Sequence, residues 1–258
     1  MPGPGSPLRL TERPSRPSSA IAPCVELQLL NAFGLSSDGA PVSLPMSAQR
    51  LVAFVALHNR PLLRPYVAGS LWLDTPDERA AANLRSALWR INRISRPVIE
   101  AAGQQLRLCA QVRVDFHRAE RLALDEVHNR AEARREKADV EPFVGDLLPD
   151  WYEDWVLLER ERFRQLRLRA LEAVCERLAQ AGRLGEALDA GLLSVAGEPL
   201  RESAHRALVR VHLADGNAGE AIRQYRLCRR LLHDQLGIEP SERMRELVRG
   251  LDVRETGR

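Results

Sequence analysis

From Arg79 to Arg96 the chain carries five arginines and no acid. Leu84, Leu88 and Ile91, flanked by Ala81 and Ala87, recur at helical spacing, which predicts a helix over 76–95 with one apolar face. Placed at about 100° per residue, the opposite face holds Arg79, Ser86, Trp89, Arg90 and Arg93. A packed inner face and a purely basic outer face suit a phosphate-lined groove. Guanidinium groups supply both charge and paired donors for phosphate oxygens or for guanine O6 and N7. The competing reading is a solvated surface helix, although such helices usually mix charge signs.

Within this helix Thr75, Pro76, Asp77 and Glu78 read as a capping box, with Thr75 as the N-cap and Glu78 reaching back to it. Asp77 and Glu78 suit the positive end of the helix dipole but repel phosphate. Contact with DNA is therefore expected through the middle of the helix, from Ser86 to Arg93. Arg90 and Arg93 are the first choices for reading a base or holding a phosphate, and Arg79 and Arg85 for phosphate alone. Ser86 is small enough to touch a base or to permit close approach. Trp89 is placed at the edge of the outer face, packing on a neighbouring element. Pro97 closes the helix.

The flanking elements must position this helix. Val25–Leu29 alternates apolar and polar residues, and Asp38-Gly39 is a hairpin signal, so 24–45 read as strands. Residues 47–58 read as an apolar helix capped by Ser47, and 65–73 as a second, short helix. After Pro97, 98–100 and Gln105–Val114 read as extended segments joined by a turn at Ala102-Gly103. Strands, three helices and a β-hairpin, in that order, make a winged helix whose third helix enters the major groove. On this layout Arg64, ahead of the second helix, and Arg107 and Arg113, with Gln105 on the wing, are expected to touch phosphates.

Beyond Asp115 the pattern turns wholly helical. Residues 117–138 read as a charged helix, 139–150 as a loop, and long amphipathic helices follow from Trp151. Gly182, Gly185, Glu186, Ala187 and Leu188 recur as Gly216, Gly219, Glu220, Ala221 and Ile222 at an offset of 34 residues, the period of tetratricopeptide helix pairs. The expected fold is thus an α+β N-terminal winged helix followed by an all-α tetratricopeptide-like helical domain. Trp151, Tyr152 and Trp155, with Leu158 and Phe163 nearby, are expected to anchor the second part on the first. His205 and His212 read as packing residues rather than ligands.

Composition excludes several classes. No apolar run is long enough for a membrane span, and the Pro/Ser-rich start lacks the core of a signal peptide. Cys24, Cys109, Cys175 and Cys228 are scattered and read as reduced. His and Cys show no metal spacing, so no metal or other cofactor is expected. No nucleophile–base pair or paired carboxylates stand out, so the chain does not read as an enzyme. Residues 24–116 hold ten arginines against seven acids, whereas 117–258 hold 25 basic and 27 acidic residues. The basic excess therefore lies with the basic helix. With Lys137 the only lysine, a GC-rich genome is the simpler cause of the arginine bias.

Three stretches carry a resemblance: Gly145–Trp155 (GDLLPDWYEDW) with Glu159–Arg162 (ERER), Pro199–Glu202 with His205, and Leu236–Pro240. With Leu71–Asp74 and Asn83–Leu88 in the first half, they make the chain similar to the antibiotic regulatory proteins of streptomycetes. Those proteins join an OmpR-type winged helix to a bacterial transcriptional activator domain. The resemblance implies sequence-specific binding of double-stranded DNA, as paired protomers on direct repeats at promoters of, for instance, a biosynthetic gene cluster. It also implies recruitment of RNA polymerase, with Asp74, Asp77 and Glu78, between the second and third helices, as the candidate contacts. A homodimer, formed either in solution or only on DNA, and a cytoplasmic, nucleoid-associated location follow from it. The Gly-Gly-Tyr frequent in the family's wing turn is here Ala102-Gly103-Gln104-Gln105. No G-x-x-x-x-G-K motif is present, so nucleotide control within this chain is not expected. The domains expected are 1–23, a disordered tail; 24–115, the winged helix; 116–252, the activator domain; and 253–258, a tail. A protein-interaction adaptor whose winged helix does not bind DNA, and a repressor, are the alternatives.

Overall fold

The computed structural model describes residues 25–128 and 140–251. The two expected tails, Cys24 and the later part of the expected 117–138 helix lie outside the described residues.

Strand β1 (Val25–Gln28) buries alternate residues and pairs antiparallel with β2 (Gly34–Ser37), which pairs with β3 (Ala40–Pro41) across the Asp38-Gly39 turn. Both turn residues take positive φ, as the hairpin signal requires. Helix α1 (Met46–His58) buries every residue from Leu51 to Leu57, so it is the central helix of this half. Strand β4 (Leu62–Leu63), α2 (Arg64–Leu71) and α3 (Asp77–Ile91) follow, then the hairpin of β5 (Ile99–Ala102) and β6 (Gln105–Leu108), with β4 pairing to β6. This is a winged helix with an N-terminal sheet.

Three local expectations are corrected. Thr75 does not cap α3: its amide donates to the Trp72 carbonyl, so it belongs to the preceding turn, and Pro76 occupies the N-cap with no side-chain bond. Ser47 does not cap α1, which starts at Met46 behind Pro45. Gln105–Val114 is not one strand. The chain turns at Cys109, whose carbonyl accepts from the Val112 amide, and β7 (Val112–Val114) joins the first sheet, parallel to β1.

Helix α4 (Asp115–Val127) begins directly after β7. The Asp115 carboxylate accepts from the amides of Leu29 and Leu30 at 2.8 and 3.1 Å, satisfying the chain where β1 ends. Phe116 and Ala119 lie in the core of the winged helix, while Ala123 lies in the core of the helical part. The segment after a 3-10 turn at Glu141–Phe143 then returns to β1. Leu30 and Leu147 form an antiparallel bridge, and the Asn31 and Leu148 amides donate to Asp146 and Leu29. A Cβ on Gly145 would lie 3.0 Å from the Asn31 side chain and 3.1 Å from Leu30, so any larger residue there must push its neighbours back by a few tenths of an ångström.

Leu147, Leu148, Trp151, Val156 and Phe163 are buried in the winged-helix core. Trp155 meets Phe54 of α1 edge-on at 5.1 Å, and Phe163 meets Phe116 likewise. The expected aromatic anchor is therefore Trp151, Trp155 and Phe163. Tyr152, 77% exposed, and Leu158 point to solvent and take no part. Arg160 fastens this segment by donating to three carbonyls: Leu147 at 2.7 Å, Trp151 at 2.7 Å, and Leu148.

Helices α5 (Asp154–Gln180), α6 (Leu184–Gly197), α7 (Glu202–Ala214), α8 (Ala218–Leu236) and α9 (Glu242–Val248) pack as successive hairpins. The 34-residue repeat is one structural turn used twice: Gly182 and Gly216 end α5 and α7 with φ of 75° each. Ala187 and Ala221 are fully buried at the equivalent places on α6 and α8. His205 is buried as a neutral imidazole, Nε2–H donating to the Pro199 carbonyl and Nδ1 accepting from Gln224.

Arg160→Ala removes three charged-donor bonds to carbonyls at the junction. It is expected to lower unfolding stability by about 3 kcal/mol, read by chemical denaturation. Burial holds the His205 imidazole below its ordinary pKa of 6.5, against the raising effects of Pro199 and Glu202. The unfolded chain then binds the proton first, so this contribution to stability is complete above pH 6.5 and lost as pH falls below it. Wild-type stability should fall faster than that of His205→Gln between about pH 6.5 and 5, by at most about 1.4 kcal/mol per pH unit.

Candidate nucleic-acid interface

Helix α3 buries Ala80, Leu84, Ala87, Leu88 and Ile91 against the core. That stripe turns Arg79, Arg85, Ser86, Trp89 and Arg90 outward, and all five are exposed. Arg93 follows in the turn after the helix, also exposed. Arg79, Arg85 and Arg90 make no ion pair or hydrogen bond from the side chain to any described residue. Arg93 lies over the Trp89 ring, 5.0 Å from its centroid. The Ser86 hydroxyl bonds back to the Ala82 carbonyl at 3.0 Å, which keeps that part of the face low.

Trp89 corrects its expected role. It is 59% exposed and covers no neighbouring element. The apolar stripe centres on Leu84 and Ile91, which places Trp89 near the middle of the outer face rather than at its edge. The exact position of the stripe's centre was the missing signal.

The wing stands beside this face. Arg64 begins α2 and is tied to the wing tip: its amide donates to Gln104 at 2.8 Å and its Nε to the Gly103 carbonyl at 3.1 Å. A groove runs between α2, the start of α3 and the wing turn, lined by Arg64, Arg85, Gly103 and Gln104, with Asp77 and Glu78 on the same walls. Arg107 is on the wing and pairs across the hairpin with Glu100 at 2.8 Å. Arg113 is not on the wing. It lies on β7 opposite Glu26 of β1, in the other sheet, because the chain turned at Cys109. Asp74, in the turn between α2 and α3, is exposed, as are Asp77 and Glu78.

Many arginines of the helical part are paired, while Arg169, Arg230 and Arg243 are exposed without a side-chain partner among the described residues. Arg162 reaches Glu120 and Glu159, Arg164 reaches Glu161 and Glu198, Arg177 reaches Glu126, Arg201 reaches Glu172, and Arg210 reaches Glu176. The Cys175 and Cys228 thiols, pushed up to about 12 by burial, are unreactive packing groups.

Residues 110–251 match the family model of the bacterial transcriptional activator domain. The chain belongs to this family. Its members are transcriptional regulators of the type that the sequence resembled. The chain is 27% identical over 226 residues to the regulatory protein AfsR of Streptomyces coelicolor, covering 81% of this chain and 22% of that protein. Against AfsR of Streptomyces griseus it is 24% identical over 224 residues, covering 83% and 22%. It thus spans about a fifth of the length of these curated relatives. Mycobacterium tuberculosis EmbR, solved in complex with a low affinity phosphopeptide, superposes with a TM-score of 0.72 at 22% identity, over 87% of this chain and 64% of that one. The EmbR likeness supports the same succession of winged helix and tetratricopeptide-like helices. No described helix is long and apolar enough to cross a membrane.

The Arg64 side chain holds the wing turn through one exposed bond. Arg64→Ala is expected to raise amide exchange at Gly103–Gln105 roughly two- to fivefold, with α1 amides unchanged.

Proposed function

We propose that this regulator binds double-stranded DNA in a sequence-specific way and activates transcription, with α3 in the major groove and the wing on the adjacent backbone. The observation that carries this reading is the gathering of unpaired, exposed arginines on the one face of α3 that its buried stripe turns outward. Arg79, Arg85 and Arg90 face solvent there with no side-chain partner among the described residues, whereas many arginines of the helical part, though not Arg169, Arg230 or Arg243, face acids. An exposed guanidinium without a counter-ion is free to exchange its water for phosphate or a guanine edge.

In this reading Arg90 and Arg93 reach base edges, Arg79 and Arg85 hold phosphates, and Ser86 lets the helix sit deep. Arg64 and Arg107 serve the backbone beside the wing. Arg113, displaced to the other sheet, is left out. Residues 24–115 form the DNA-binding unit and residues 116–252 the unit for self-association and regulation. Two protomers on a direct repeat place their α3 helices about 10–10.5 bp apart or a multiple of that. Asp74, Asp77 and Glu78 stay exposed at the entry to α3, where they are free to meet RNA polymerase.

Affinity for duplex DNA should fall with salt by about 0.9 log units per log unit for each phosphate neutralised, so Arg79→Ala and Arg85→Ala should each flatten the slope by about one contact. Arg90→Ala and Arg93→Ala should each cost about 1–3 kcal/mol on a preferred site and little on random duplex. Fluorescence anisotropy across a salt series reads both. Salt-independent or undetectable binding by the wild type overturns the reading.

A further inference from the structure

We propose that Trp89 is a specificity-determining residue whose indole ring packs on the 5-methyl group of a thymine in the major groove, with Arg93 held against the ring to reach the neighbouring base. This rests on the DNA-binding reading above and adds what one position of the site must contain.

An exposed tryptophan in the middle of a basic helical face has no packing role to explain it. The ring of Trp89 is 59% exposed, while Ala87 and Leu88 beside it carry the contact with the core. It stands among the outward groups Ser86, Arg90 and Arg93. In the major groove the one apolar group on a base edge is the thymine methyl, and an apolar side chain distinguishes thymine by covering it. A large flat ring does this with little loss of conformational freedom, since it has only two rotatable bonds.

The second observation is Arg93. Its guanidinium carbon lies 5.0 Å from the centre of the Trp89 ring. Stacking on an aromatic face orients the planar donor fork before any base is met. The pair therefore presents an apolar plate and a directed set of donors side by side. Their target is a thymine next to a base that accepts two hydrogen bonds, such as guanine. Ser86, folded back onto Ala82, leaves room for the plate to approach.

The test uses the full chain and a duplex enriched by the wild-type protein from a random pool. Each thymine of that duplex is replaced in turn by deoxyuridine, which removes only the methyl group. Affinity is measured for the wild type, Trp89→Ala and Trp89→Phe. At one thymine per half-site, loss of the methyl should weaken wild-type binding roughly fourfold, the worth of one buried methyl. Trp89→Ala should bind the thymine and deoxyuridine duplexes equally, and Trp89→Phe should retain part of the difference. A pool selected by Trp89→Ala should lose the thymine at that position while keeping the others. The proposal is overturned if no deoxyuridine weakens the wild type, or if Trp89→Ala keeps the same sensitivity. In either case salt-dependent, Arg90-dependent binding would leave the DNA-binding reading standing. Failure of the wild type to enrich any sequence would overturn both.

Discussion

The arrangement depends on the way residues 145–148 return to β1. Leu147 and Leu148 are fully buried in the core of the winged helix, although they belong to the segment that leads into α5. The chain is committed there on three sides. Backbone bonds join it to Leu29 and Asn31, Gly145 lets it lie tightly against Leu30 and Asn31, and Arg160 gathers its carbonyls. Leu148 accepts a positive φ of 41° to make the turn. Since a β-branched or bulky residue rarely takes that conformation, the surrounding bonds must over-determine it. The result is one core that contains parts of both halves, so the direction of α3 is fixed relative to α5–α9. An ion pair of Arg50 with Glu153 at 2.8 Å, and Arg167 bound to Asp146 and Gly145, fasten the same junction from either side.

Charge is organised on that frame. Exposed ion pairs add little stability, and the pairs on α5–α9 need not be read as stabilising. Their larger effect is on the field. Each cancels an arginine locally, although Arg169, Arg230 and Arg243 stay exposed without a side-chain partner among the described residues; on α3, Arg79, Arg85 and Arg90 are likewise not offset and share one helix face. Asp77 and Glu78 then mark one end of α3 as unfit for phosphate and bias the approach of DNA towards the middle and far end.

Much of the fold was legible because its signals are local. The stripe of Leu84, Leu88 and Ile91 locates α3, Asp38-Gly39 locates a hairpin, and two glycines 34 residues apart locate a repeated turn. What was not legible depends on partners distant in the chain. Alternation across Gln105–Val114 does not reveal that the strand leaves one sheet for another, and by itself it puts Arg113 on the wing. Thr75 and Pro76 fit a cap by type, but the turn after α2 consumes Thr75 first. Tyr152 has the composition of an anchor, yet Trp151 takes the buried place and Trp155 a partly buried one against the core. Arg160 lay within a recognised motif, but its three carbonyl bonds require the folded loop to be seen. Of the interface, the outward arginines were legible from periodicity, whereas the central, exposed place of Trp89 was not.

The most direct test of the central claim is methylation interference on a duplex that the wild-type protein binds, since dimethyl sulfate marks guanine N7 in the major groove and adenine N3 in the minor groove. Guanine methylation should block binding in two clusters about one helical turn, or a multiple, apart, with Arg90→Ala losing sensitivity at one guanine in each. Interference confined to adenine N3, or a guanine pattern unchanged by Arg90→Ala, would contradict major-groove reading by α3.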